Sequence, residues 1–166
     1  EQFRVDSRIK RVNELGFDVE ELDIQTIEGG HSIRLRVQVV EPGHHRRRLE
    51  ALTGLNVQEN QARRLLNDLD HFRAWQSRLE SRPIAEREAA KRWLEEVYRP
   101  TLAAIPPAEA AKLDPAEIFH QLLEHRWYMS ERLGRDLPLI AVVPSYVEEV
   151  LAMLPAPQLN SCPPGP

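Results

Sequence analysis

Five residues in a row, His44-His45-Arg46-Arg47-Arg48, follow Gly43 in this chain of 166 residues. A helix that starts there leaves backbone N–H groups without partners, and cations beside them would hold a phosphate or a carboxylate. His44, His45, Arg46, Arg47 and Arg48 are therefore the first candidate site, for an anion or a partner surface. The competing reading is a solvated helix face whose arginines pair with acids of the same domain, the usual fate of a charge run. A second candidate is polar: Glu117, His120 and Glu124 recur at i, i+3 and i+7 on one helix face. Glu-x-x-His is half of a carboxylate-bridged di-metal pattern. A second such pair on another predicted helix is missing, and so is a His-Glu-x-x-His run, so no metal is assigned. Arg126 belongs to the same polar set. It falls in the middle of an apolar face made by Ile118, Phe119, Leu122, Leu123, Met129 and Leu133. A charge there is costly unless paired, so Arg126 is expected to be largely buried and met by a carboxylate from another helix.

Other chemistries lack their residues. No Gly-x-Ser-x-Gly elbow and no glycine-rich phosphate loop occurs, and Ser145 sits in the context of a helix cap. Gly134-Arg135-Asp136 lacks the downstream Asn and the Asp-Phe-Gly of a kinase catalytic loop. No catalytic residue and no cofactor is assigned.

The elements that must position these residues read as follows. Residues 6–15 form a short helix stopped by Gly16. Leu22 and Ile24 alternate with acids, and Ile33, Leu35, Val37 and Val39 alternate with polar residues, the period of two of half-buried strands. With Gly29-Gly30 as a two-residue turn, Leu22 faces Val37, Ile24 faces Leu35 and Asp23 faces Arg36, and helices are expected to cover the apolar side. Residues 44–53 form a basic helix stopped by Gly54. Asn56 with Glu59 reads as a capping box opening a helix to about Ser81, on which Ala62, Leu65, Leu66, Leu69, Phe72, Trp75 and Leu79 make the buried stripe. Pro83 breaks it, and Glu86 and Glu88 sit in the first turn of the next helix, where carboxylates suit the dipole. Pro100 kinks that helix and Pro106-Pro107 ends it. Asp114-Pro115-Ala116-Glu117 starts a further helix that stops at Gly134. A loop follows through Pro138 and Pro144, and Ser145 to Glu148 caps a last helix through Leu154.

The expected fold is α+β but predominantly helical: a short N-terminal helix, a two-stranded antiparallel β-hairpin, then a bundle of about four to five helices. Residues 1–154 are read as one domain and the Pro-rich residues 155–166 as a disordered tail. Hydrophobic residues at 42% and charged residues at 29% are values of a folded protein. The net charge of −4, concentrated in the last third of the chain, argues against broad nucleic-acid affinity. The one cysteine, Cys162, excludes an internal disulfide and a cysteine-based zinc site, and a reducing, cytoplasmic setting is expected. No apolar run approaches the ~20 residues of a membrane span, and no secretory signal opens this stretch. Because Glu1 is not methionine, the chain is expected to be a fragment or a processed product.

Several runs carry a resemblance. They are Arg4 to Leu22, Pro42-Gly-His-His-Arg-Arg-Arg-Leu49, Leu52 to Leu69, Phe119 to Ser130, and Ser145-Tyr146-Val147. Together they resemble an actinobacterial domain of unknown function that follows a lipopolysaccharide-kinase-like domain in longer chains, matched over about residues 3–154. The resemblance implies a kinase-like domain upstream of Glu1 and carries no catalytic residues onto this chain. The expected function is thus a non-catalytic accessory or regulatory domain, with the upstream kinase-like domain or that domain's protein partner as its own partner. The alternatives are a domain that binds or transforms an anionic ligand at the His/Arg helix start, with a phosphate-containing ligand as its partner, and, more weakly, a nucleic-acid binder.

Overall fold

The computed structural model describes the backbone of residues 18–27 and 30–38, and both backbone and side chains of residues 42–156. The helix expected over residues 6–15, the burial of the hairpin's apolar face and most of the Pro-rich tail lie outside the described residues. By its contacts the chain divides into two compact units, Glu1–His44 and His45–Pro166.

In the first unit, β1 (Asp18–Ile27) pairs antiparallel with β2 (Gly30–Gln38). The expected register is overturned. Leu22 stands opposite Leu35, Ile24 opposite Ile33, and Asp23 opposite Arg34 rather than Arg36. Each partner lies two residues earlier on β2 than the glycine turn implied, because Gly30 itself belongs to the strand and pairs with Ile27. A slip of two keeps every side chain on its face. Apolar still meets apolar and acid still meets arginine, so the alternation could not choose between the two registers. An irregularity between Val19 and Glu21 then shifts the pairing again.

The α+β class is corrected. The second unit is helical, with no strand among its described residues, and the hairpin expected ahead of the bundle in one α+β domain with it is not part of that unit. The helices close their own core. The bundle consists of α1 (His44–Thr53), α2 (Glu59–Leu79), α3 (Glu86–Trp93), α4 (Arg99–Ala103), α5 (Pro107–Ala110), α6 (Pro115–Leu133) and α7 (Leu139–Glu149).

α1 ends at Gly54, at φ +76°, a conformation that a Cβ would strain. α2 starts at Glu59, not beside Asn56, and Gln61 Oε1 accepts from the Gln58 N–H at 3.0 Å. Ala62, Leu65, Leu66 and Leu69 are buried as expected, but Trp75 is 53% and Leu79 66% exposed. Gln76 takes the buried position there and donates to Glu96 at 3.3 Å. The link after α2 folds back onto it: Arg73 Nε donates to the Ile84 carbonyl at 2.7 Å, and the Ile84 N–H donates to Ser77 Oγ at 3.1 Å.

Between α3 and α4 the helix widens into a π-turn, Leu94–Tyr98, in which the Arg99 N–H reaches the Leu94 carbonyl. Pro100 follows at once. Its ring offers no N–H and crowds the carbonyl four residues back, and a wider turn relieves that crowding. The three rings at the centre of the core are Trp93, Tyr98 and Phe119. Trp93 meets Phe119 edge-on at 5.4 Å and 83°, and Tyr98 lies 4.9 Å from Phe119.

α6 forms as its sequence dictates. Asp114 accepts from the Ala116 N–H at 2.9 Å, Pro115 opens the first turn, and Gly134 closes the helix at φ +65°. α7 does not. The loop expected through Pro138 and Pro144 is helix from Leu139, with Pro144 inside it. Leu139, Val142, Val143 and Tyr146 are buried, an i, i+3, i+4, i+7 stripe, and their burial outweighs the cost of an exposed interior proline.

Replacing that proline should therefore stabilise the fold. Pro144→Ala restores a donor for the Ile140 carbonyl, and urea unfolding should show a gain of about 1–3 kcal/mol. An unchanged or lower midpoint would mean that Pro144 is not strained in α7.

Candidate functional site

The basic helix start folds into two halves. His45 is buried and Arg48 half-buried, while Arg46 and Arg47 are exposed. α1 has no acidic residue in its first turn. Its N-terminus is instead closed by a carboxylate from α2. Glu59 Oε1 accepts from the His45 N–H at 3.1 Å and lies 2.8 Å from His45 Nδ1, and Oε2 accepts from the Arg46 N–H at 3.1 Å. Burial pushes the Glu59 carboxyl up, but the hydrogen bonds from His45 and from these two N–H groups outweigh it and hold it below its ordinary value. The donors that would have gripped a phosphate are thus spent on an internal anion.

Arg48 is spent likewise. Its Nε and Nη2 donate to Glu86 Oε1 at 2.8 and 2.6 Å, and Nη1 and Nη2 donate to Asp70 at 3.0–3.3 Å. One guanidinium ties α1 to α2 and α3. Burial alone would lower its pKa, yet the bonds to Glu86 and Asp70 raise it further.

The polar set on α6 does not converge either. Glu117 accepts from Gln61 Nε2 and, at 2.7 Å, from Gln121 Nε2, and Tyr146 donates to Gln121 Oε1 at 2.9 Å. Glu124 turns to Arg64, 3.5 Å away. His120 joins neither. Its Nδ1 is buried without a partner, and burial, reinforced by Arg64, lowers its pKa although Glu117 and Glu124 pull it up. Among the described residues no group of three or more His, Cys, Asp or Glu side chains could hold a metal. The two candidate sites also point apart. Glu59 and Gln61, their contacts on α2, are two residues apart, about 200° around the helix.

Arg126 is corrected in part. A carboxylate from another helix does meet it, Asp68 Oδ1 at 3.5 Å, but its side chain is 31% exposed rather than largely buried. The other Asp68 oxygen accepts from Trp93 Nε1 at 2.9 Å, so Asp68 joins the aromatic core to the ion pair.

A family model described as "Domain of unknown function (DUF4032)" matches residues 1–151. The chain belongs to this family. No curated protein and no solved structure matches it. The family's description names no activity, so its members' function has to be argued from residues such as these.

One pair escaped the sequence reading. Ser145, read as a cap, lies within α7, where its Oγ donates to the Val142 carbonyl at 3.1 Å and sits 2.8 Å from His125 Nε2. The signal for His125 was its place at i, with Tyr128, Met129 and Arg132 at i+3, i+4 and i+7, on one face of α6.

Glu59→Ala should remove the cap of α1 and cost about 1–2 kcal/mol in chemical denaturation, as loss of a cap does. A change within error would show that the contacts of Glu59 do not hold α1.

Acid should weaken the fold through histidine. Burial depresses His120 and His125 below the ordinary 6.5. The unfolded chain then binds protons that the fold refuses, so stability is full above about pH 6.5 and falls as pH drops toward the folded values. Melting temperatures across that range check this, and His120→Gln should flatten the slope. A profile that rises toward acid would contradict it.

Proposed function

We propose that this chain is a non-catalytic interaction domain that docks a protein partner through apolar side chains at one end of the bundle. The observation that carries this reading is the exposure of Trp75 and Leu79 near the end of α2. Phe72, half-buried with its ring 6.3 Å from that of Trp75, links them to the core. Contacts between α2 and α6 advance together along both helices: Gln61 with Glu117, Arg64 with Glu124, Asp68 with Arg126. The two helices therefore run in the same direction, which brings Leu133, 50% exposed, to the same end as Trp75 and Leu79. Tryptophan is enriched in binding hot spots, and clustered exposed apolar side chains mark interaction surfaces. The internal partners of this helix start support the reading from the other side, since Glu59 takes up the His45 and Arg46 N–H groups, and Asp70 and Glu86 the Arg48 guanidinium, that an anion site there would use. No helix among the described residues is long and apolar enough to cross a membrane.

The partner we infer is the kinase-like domain that precedes the resembling family domain in longer chains. Titration of this chain with that domain, supplied in trans, tests the reading. Trp75→Ala should cost about 2 kcal/mol of affinity, with Leu79→Ala acting in the same direction. Raising salt from about 50 to about 200 mM should change affinity little, whereas phosphate contacts would be lost steeply over that range. Duplex binding that falls with salt and vanishes in Arg46→Ala/Arg47→Ala would overturn the proposal.

A further inference from the structure

A cleft of about 380 Å³ opens on the flank of α6, within the size range of small-molecule sites. One wall is the helical stripe His125, Tyr128, Met129 and Arg132. Glu149, at the end of α7, and Glu131 also line it.

The imidazole in this cleft is fixed. Because Ser145 Oγ donates to the Val142 carbonyl, the hydrogen between His125 and Ser145 belongs to His125 Nε2. Nδ1 is then left as an acceptor. The ring also meets Tyr146 edge-on, at 5.8 Å and 61°. Burial keeps the imidazole neutral at pH 7, although Glu149 acts to raise its pKa.

The charges in the cleft are unspent. Arg132 Nη2 lies 3.1 Å from Met129 Sδ, and a thioether is a weak acceptor. Among the described residues, neither Arg132 nor Glu149 is in an ion pair, with each other or with a third group. Arg48, Arg64, Arg82, Arg92 and Arg126, in contrast, all meet carboxylates. One cation, Arg132, and two carboxylates, Glu131 and Glu149, face one cleft without pairing, which suits a guest carrying both signs. Tyr128 and Met129 lie between His125 and Arg132 on the α6 wall and offer an aromatic face and a polarisable sulfur.

We propose that this cleft binds a small zwitterion of the apolar amino-acid class, with its carboxylate on Arg132, its ammonium on Glu149 and its side chain against Tyr128 and Met129. His125 Nδ1 is the neutral acceptor available to the ammonium. The proposal stands apart from the docking reading, since it uses neither Trp75 nor Leu79.

The test is titration of the intact chain with L-phenylalanine and with L-leucine, followed by amide chemical shifts. Phenethylamine and 3-phenylpropanoate serve as single-charge controls. Saturable shifts should centre on His125, Arg132 and Glu149, and each control should bind about tenfold more weakly than L-phenylalanine. Arg132→Gln should weaken L-phenylalanine and 3-phenylpropanoate but spare phenethylamine, and Glu149→Gln should do the reverse. Both side chains are exposed, so the variants should melt as the parent does. No saturable shift with either amino acid up to about 10 mM would overturn the proposal, as would phenethylamine binding as tightly as L-phenylalanine.

Discussion

A helix that begins His44-His45-Arg46-Arg47-Arg48 places its cations at the positive end of its own dipole, where they repel it. Such a helix needs negative charge from elsewhere. The structure supplies it from two neighbours: Glu59 on the open N–H groups of His45 and Arg46, and Asp70 with Glu86 on Arg48. This single requirement joins α1, α2 and α3. It also decides the functional reading, because a basic cluster satisfied from within offers much less to an outside phosphate. The gain from each exposed ion pair is small, of order 1 kcal/mol or less. The geometry matters more than the sum, since the guanidinium fork fixes the angle at which three helices meet.

α2 distributes these contacts. Its successive polar residues reach different neighbours: Glu59 to α1, Gln61 and Arg64 to α6, Asp68 to Trp93 and Arg126, Asp70 to Arg48, and Gln76 to Glu96. Between them Leu65, Leu66 and Leu69 fill the core. Only toward its end does the helix run out of neighbours for its apolar residues, and there Trp75 and Leu79 face solvent. A helix this thoroughly tied along its length presents its final turns as a rigid edge, which suits a docking surface better than a mobile loop would.

Much of this was legible from local chemistry. The Asp114-Pro115 start, the stops at Gly54 and Gly134, the basic helix of residues 44–53 and the upper core of α2 follow from caps, dipoles and spacing. What failed, failed where local signals were ambiguous or where distant contacts overrode them. A two-residue slip leaves strand alternation intact, so pattern alone could not place Asp23 opposite Arg34. Pro144 reads as a break, but the stripe Leu139, Val142, Val143 and Tyr146 carries more weight than one missing N–H. Glu59 was legible as a capping residue, yet its helix is α1, fourteen residues back at His45, rather than its own. The candidate cluster was found, while the carboxylates that neutralise it belong to tertiary structure. The His125–Ser145 contact was hidden for the same reason as α7 itself.

Everything above turns on the Glu59 carboxylate at the N-terminus of α1. Amide shifts of His45 and Arg46, followed through an acid titration and then with added phosphate at neutral pH, test it most directly. Both amides should titrate together, with a midpoint below the ordinary 4.5 of a glutamate, and phosphate should move neither. Amides that ignore the acid titration, or that shift saturably with phosphate, would contradict it.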